Sequence, residues 1–197
     1  GEGLGNKFLS HIREVDAIIH MIRCFDSNDI QNVNSTVDPV RDLEIIETEM
    51  MLSDLESIQK RLEKNNKKNI DEEQLTILKY ALDCINNDKD ISVLKTQFDK
   101  KQLNQSGLLS LKPKIFVCNV DEQSISGGNN YTKIFIDKFG KENTLIVSAD
   151  IENQINGLDS KEKKNYMEMI GLKETGLNLL IKKGYNILEL DTYFTSG

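Results

Sequence analysis

Two short polar runs, each following an apolar stretch, are where this sequence could do chemistry. Asn119-Val120-Asp121-Glu122 follows Ile115-Phe116-Val117-Cys118, and Ser148-Ala149-Asp150 follows Leu145-Ile146-Val147. An Asn just beyond a strand carries amide donors and a carbonyl acceptor, so it can brace a neighbouring loop and present its amide to a purine edge. A carboxylate three positions on can accept from the exocyclic donors of a base, and the Ser148-Ala149 turn offers backbone N–H groups. Alone, such a tetrapeptide is a weak pattern and more often an ordinary strand-closing turn, because Asn and Asp bond their own backbone readily. Other reactive side chains are poorer candidates. His11 and His20 have no second ligand or nucleophile beside them in the sequence. Cys24, Cys84 and Cys118 are odd in number, lack C-x-x-C spacing and sit in apolar stretches, which predicts buried thiols and neither a disulfide framework nor a zinc site.

Positioning the two runs side by side takes a particular set of elements. The apolar segments 115–118 and 145–147 read as strands, with a helix over 131–139 as the crossover between them. Ligands of open α/β sheets bind beyond the carboxyl ends of strands, where both runs fall. A further strand is expected over Asp16 to Phe25, nearly all apolar and so covered on both faces. Before it, Gly1 to Asn6 reads as a glycine-rich loop leading into a short helix, Lys7 to Arg13, and residues 26–37 read as a polar connection.

The middle of the chain changes period. Asp38-Pro39 is a helix start, since Asp38 can accept first-turn N–H groups and Pro39 sacrifices no hydrogen bond there. Met51, Leu55, Ile58 and Leu62 form a predicted seam, residues 64–69 a polar tip, and Asp71 with Gln74 a capping box opening a second helix with the seam Leu75, Leu78, Leu82 and Ile85. Two seams joined by a short tip predict an antiparallel helical hairpin. Residues 90–110 read as helical in part. Further helices are expected from about Lys161 and over Gly176 to Gly184, and Ile187 to Gly197 reads as a strand. Together these predict an α/β fold with a mostly parallel sheet, interrupted by the hairpin.

Composition narrows the function classes. Charged residues make up 29% and apolar ones 38% of the 197 residues, the balance of a globular protein. The net charge of −7 argues against a generally basic coat for nucleic acid but leaves room for a local basic face. Lys60, Arg61, Lys64, Lys67 and Lys68 gather toward the hairpin tip. No apolar run is long enough to span a bilayer and no signal peptide opens the chain, so a cytoplasmic location without membrane contact is expected.

Longer strings carry a resemblance. Gly1-Glu2-Gly3-Leu4-Gly5-Asn6-Lys7-Phe8-Leu9, Ile12 to Ile18, Arg23-Cys24-Phe25, Val37 to Asp42 with Glu44-Ile45-Ile46, Asp54-Leu55-Glu56, Lys60-Arg61-Leu62, Asn119 to Glu122, Gly184-Tyr185 and Thr192 to Thr195 closely resemble the YchF/Obg-like ATPases, over essentially the whole chain. The resemblance implies a P-loop NTPase-type sheet divided as follows: 1–37 and 111–187 as parts of the nucleotide-binding domain, 38–110 as an inserted coiled-coil hairpin, and 188–197 as the start of a TGS domain. It implies that Gly1, Gly3 and Gly5 are the tail of the second switch loop, that Asn119, Val120 and Glu122 belong to the fourth nucleotide motif in an N-x-x-E form, and that Ser148 and Ala149 form the fifth. Val120 stands where the wider GTPases have Lys.

By the same resemblance the expected activity is hydrolysis of ATP, with GTP weaker or comparable, as a molecular switch that associates with ribosomes; nothing in the sequence demands a dimer, and a monomer is expected. The basic tip is then a candidate contact for ribosomal RNA. No G-x-x-x-x-G-K-[ST] occurs in the sequence, so the groups holding the phosphates and Mg2+ are expected upstream of residue 1, and the 197 residues alone are not expected to hydrolyse ATP. A guanine-specific GTPase of the wider Obg group, or a nucleotide-dependent binding module that never turns over, is the alternative.

Overall fold

The computed structural model describes residues 2–27, 36–65 and 71–194. Its elements are α1 (Glu2–Glu14), β1 (Ile18–Arg23), α2 (Pro39–Asn65), α3 (Glu72–Asn86), a 3-10 segment Ile91–Thr96, α4 (Lys100–Ser106), β2 (Lys114–Asn119), a short 3-10 turn Glu122–Ser124, α5 (Asn130–Phe139), β3 (Thr144–Val147), α6 (Ala149–Asn156), α7 (Ser160–Met169) and α8 (Gly176–Leu188). They group into two compact units, 1–18 with 44–113 and 19–43 with 114–197.

The first unit is helical. Most of α2 lies in it, with its first residues, 39–43, belonging to the second unit; there the Asp38 carboxylate accepts the Arg41 N–H at 3.0 Å and Pro39 occupies the first helical position of α2. Its buried line runs through Met50, Asp54 and Ile58, one residue before the expected Met51 and Leu55, because a carboxylate takes a core position. In α3 the expected Leu78 is buried together with Ile77, Ala81 and Cys84, and the expected Leu82 and Ile85 are partly buried against the same core. Asp71 caps α3, but the Gln74 amide donates to the Gln102 carbonyl at 3.0 Å rather than closing a capping box. These faces share a core with Ile91, Leu94, Leu103, Leu108 and Leu111, so the predicted hairpin is part of a larger helical cluster. The tip residues 66–70, with Lys67 and Lys68, lie outside the described residues.

α1 corrects the expected glycine loop: helix begins at Glu2 and takes in Gly3 and Gly5, while Gly1 lies outside the described residues. Glycine in a helix costs roughly 1 kcal/mol against alanine, and this is outweighed by an apolar face further along. Leu9 and Ile12 are buried together with Ile18, Met50 and Leu109.

The second unit is a sheet with strand order β1-β2-β3. β2 and β3 run parallel with Phe116 opposite Thr144 and Asn119 opposite Val147. Alternation of side chains along β2 gives each sheet face its own core. Ile115 and Val117 pack with Val147, Leu145 and, from α8, Leu180 and Ile187. On the other face, Cys118 and Phe116 meet the crossover helix α5 through Phe135 and Phe139, with ring centroids 5.5 Å apart for Phe116 and Phe135 and 4.7 Å for Phe135 and Phe139.

β1 departs from the expected two-sided burial. Ile18, His20 and Ile22 are buried, but Ile19 and Met21 are 53% and 61% exposed. A uniformly apolar run does not reveal whether both faces are covered, and among the described residues β1 is an edge strand.

The predicted thiols are buried, and none forms a disulfide. Thiol-to-thiol hydrogen bonding with Cys118, followed by burial, pushes the Cys24 thiol up. The expected strand over 187–197 is also corrected. Ile187 and Leu188 finish α8, residues 191–194 pair with no strand among the described residues, and 195–197 lie outside them.

Candidate functional site

The carboxyl ends of β2 and β3 place most of the predicted site residues together. Asn119 is the last residue of β2, and the next step of the chain still follows the sheet, with the Val120 N–H donating to the Val147 carbonyl at 2.9 Å. This parallel register holds Asn119 level with the turn after β3. There its Oδ1 accepts the Ala149 N–H at 2.9 Å. The bond engages the oxygen, so the NH2 group is what the Asn119 side chain can present to an acceptor. The Ala149 N–H, expected to face a base, is turned toward Asn119 instead.

Val120 contributes no polar group: its side chain is 2% exposed and belongs to the sheet core. Ser148 is also buried, and its side chain caps α6, so the polar run expected as a turn opens a helix. A Ser in extended conformation before a helix is an N-cap signal, and the apolar Ile151 and Ile155 that anchor α6 are only four apart.

The Glu122 carboxylate is exposed and opens the 3-10 turn, whose entry is held by Asp121 accepting the Ser124 N–H at 2.9 Å. Glu122 is not left to solvent alone. The Gln154 amide nitrogen, from α6, donates to its Oε1, and the Tyr166 hydroxyl, from α7, donates to Gln154 Oε1 at 2.6 Å. Neither Gln154 nor Tyr166 carried any signal in the sequence. Gly3 and Gly5 belong to the other unit, on α1.

Supporting contacts stiffen the floor of these loops. Asn129 caps α5 and donates through Nδ2 to the Cys24 carbonyl at 2.7 Å, tying the crossover helix to the end of β1. Glu152 of α6 accepts the Gly176 N–H at 2.6 Å, so a carboxylate sits at the positive end of α8. Among the described residues no group of three His, Cys, Asp or Glu side chains could hold a metal ion.

The helical unit has its own polar centre, likewise absent from the sequence reading. Asp54, with 0% exposure, accepts the Leu109 and Ser110 N–H groups at 2.9 and 2.8 Å, and its Oδ1 lies 3.7 Å from Arg13 Nη1. Arg13 also donates to the Gly107 carbonyl and to Ser53 Oγ at 3.0 and 2.8 Å. Of the basic group near the hairpin tip, Lys60 and Lys64 are exposed, whereas Arg61 donates to the Ser106 carbonyl at 2.6 Å.

No protein-family model matches the chain. Curated proteins do. The chain is 40% identical to the ribosome-binding ATPase YchF of Bacillus subtilis over 207 residues, 100% of this chain and 57% of that protein. It is 38% identical to the protein of the same name from Haemophilus influenzae and 35% to that of Escherichia coli O157:H7, covering 100% of this chain and 56% of each relative. Among solved structures, the Schizosaccharomyces pombe YchF GTPase superposes with a TM-score of 0.81 at 30% identity, covering 100% of this chain and 56% of that one. The chain thus spans little more than half the length of the relatives it matches.

Proposed function

On the premise that this chain is, along its whole length, a member of the YchF family, we propose that it carries the base-recognition side of an ATP-hydrolysing nucleotide switch. The observation that carries this reading is the Asn119 to Ala149 bond, which joins the two strand-end loops into one rigid edge with an amide donor and, three residues on, a carboxylate. ATP is the substrate, with GTP weaker or comparable. Guanine presents a ring N–H and an exocyclic amine, a pair suited to a short carboxylate, whereas adenine presents an exocyclic amine and no ring N–H. The longer Glu122 side chain displaces the carboxylate from where an Asp would hold it.

These residues bind and orient the base. They do not fit the metal, since no described cluster could hold it and the sequence has no G-x-x-x-x-G-K-[ST]. Mg2+, when bound with the nucleotide, neutralises phosphate charge. Gly3 and Gly5 are the tail of a switch segment that continues as α1, and residues 38–110 are the inserted helical module whose exposed Lys60 and Lys64 face an anionic partner such as ribosomal RNA. A monomer in the cytoplasm is the setting. No helix among the described residues is long and apolar enough to cross a membrane.

A guanine-specific reading has one observation in its favour, that the superposing Schizosaccharomyces pombe protein is described as a GTPase. The test is hydrolysis of ATP and GTP by the intact protein containing this chain, with Mg2+, for wild type and Asn119→Ala. ATP turnover with KM raised roughly tenfold and kcat little changed in the variant is expected, because a base contact acts equally on ground and transition states. Turnover of GTP alone, or a KM indifferent to Asn119→Ala, would contradict the proposal.

A further inference from the structure

Glu122 is reached by side chains from α6 and α7, both beyond the loop that carries it. α6 is anchored by Ile151 and Ile155, each 2% exposed, which leaves Gln154 to emerge toward the 3-10 turn. The Gln154 amide can face Glu122 in two ways, nitrogen first or oxygen first. Oxygen first would set a carbonyl against a carboxylate. The acceptor-only carboxylate of Glu122 selects nitrogen first, and the Tyr166 hydroxyl completes that arrangement by donating to Gln154 Oε1 at 2.6 Å. The order Tyr166 to Gln154 to Glu122 is a chain of donors that ends on the carboxylate.

We infer that Gln154 and Tyr166 are specificity-determining positioning residues for the nucleotide base, acting by occupying one oxygen of Glu122. This rests on the reading of Glu122 as a base-facing group. A guanine needs both carboxylate oxygens to accept its ring N–H and its exocyclic amine side by side. Gln154 takes one lone pair of Oε1 and holds the carboxylate in one orientation, so its two oxygens are not free to turn side by side toward the ring N–H and exocyclic amine of guanine. The relay thereby handicaps guanine without adding any contact to adenine. A carboxylate freed of Gln154 could rotate and offer both oxygens, so loss of the relay is a gain for GTP.

Gln154 and Glu122 are exposed and Tyr166 half-buried, so substitutions there leave the sheet core untouched. Their effect on the ratio of ATP to GTP affinity separates positioning from a general structural role, which would weaken both nucleotides alike. The experiment measures Kd for ATP and for GTP in Mg2+ with the intact protein as wild type, Gln154→Leu, Tyr166→Phe, Glu122→Ala and the Glu122→Ala/Gln154→Leu double variant. Expected is a shift of the ratio toward GTP of roughly fivefold in Gln154→Leu, the scale of one typical hydrogen bond, with a smaller shift of the same sign in Tyr166→Phe. No further shift is expected when Gln154→Leu is added to Glu122→Ala. A ratio unmoved by Gln154→Leu and Tyr166→Phe, while Glu122→Ala does move it, overturns the relay and leaves base reading by Glu122 standing. A ratio and affinities indifferent to Glu122→Ala overturn both.

Discussion

Asn119 Oδ1 accepts the backbone N–H of Ala149 at 2.9 Å across a sequence separation of 30 residues. The last residue of one strand thereby sets the position of the turn that follows its neighbour. An Asp in place of Asn119 keeps an oxygen for this bond but loses the amide donors, whereas an Ala loses both. Asn119→Asp is expected to melt like wild type while Asn119→Ala loses about 1 kcal/mol, and both weaken nucleotide binding. Thermal melts paired with nucleotide titrations check this.

Asp54 offers a second separation, between a fold and its pH dependence. Its removal in Asp54→Ala strands the Leu109 and Ser110 N–H groups in the core, at a cost of about 2 kcal/mol or more at neutral pH. Burial, the largest effect, raises the carboxyl above its ordinary 3.8, partly offset by those N–H groups and by Arg13. The folded chain therefore holds this proton more tightly than the unfolded one. Its share of the stability is fully present below the unfolded value and is lost as pH rises through the folded one. Denaturant titrations should find the wild-type advantage over Asp54→Ala larger near about pH 4 than near pH 7.

Gly176 opens α8 against the third strand, where an added Cβ would lie 2.7 and 2.8 Å from the two methyl carbons of Val147. Gly176→Ala is expected to cost about 1–3 kcal/mol, since Val147 is itself packed in the core. Pairing it with Val147→Ala, which makes room, should recover part of the loss in a double-mutant cycle read by chemical denaturation.

Thiol chemistry reports on the sheet. Cys24 and Cys118 are free thiols, both 0% exposed, and Cys84 is a free thiol 4% exposed in the helical unit. A thiol-specific reagent at neutral pH should label none of them faster than the protein opens, and should label all of them once it is unfolded. Rapid native labelling of Cys24 or Cys118 would contradict their placement.

Sequence legibility follows how local the cause is. The start of α2 at Asp38-Pro39, the strands at 114–119 and 144–147 and the crossover helix at 130–139 were readable because caps and apolar runs are written in neighbouring residues. Ile58 and Leu78 of the expected seams are buried, but in α2 Met50 and Asp54 take the core positions expected of Met51 and Leu55, because a buried Asp54 looks like a surface residue until its backbone partners 55 and 56 residues away are known. Glycines at 3 and 5 suggested a loop, while the packing of Leu9 and Ile12 extended a helix through them. At the proposed site, Asn119, Glu122, Ser148 and Ala149 lie at strand ends that the sequence marks, whereas Gln154 and Tyr166 reach Glu122 from α6 and α7, contacts that no local motif signals.

The central claim is that the loop from Asn119 to Glu122 reads the base. The most direct test is a titration of the intact protein with ATP and with GTP in Mg2+, for wild type and Glu122→Asp. Tighter binding of ATP by wild type, moving toward GTP when the shorter carboxylate is installed, is the predicted result. Equal changes for both nucleotides, or none for either, would mean that base choice is made elsewhere.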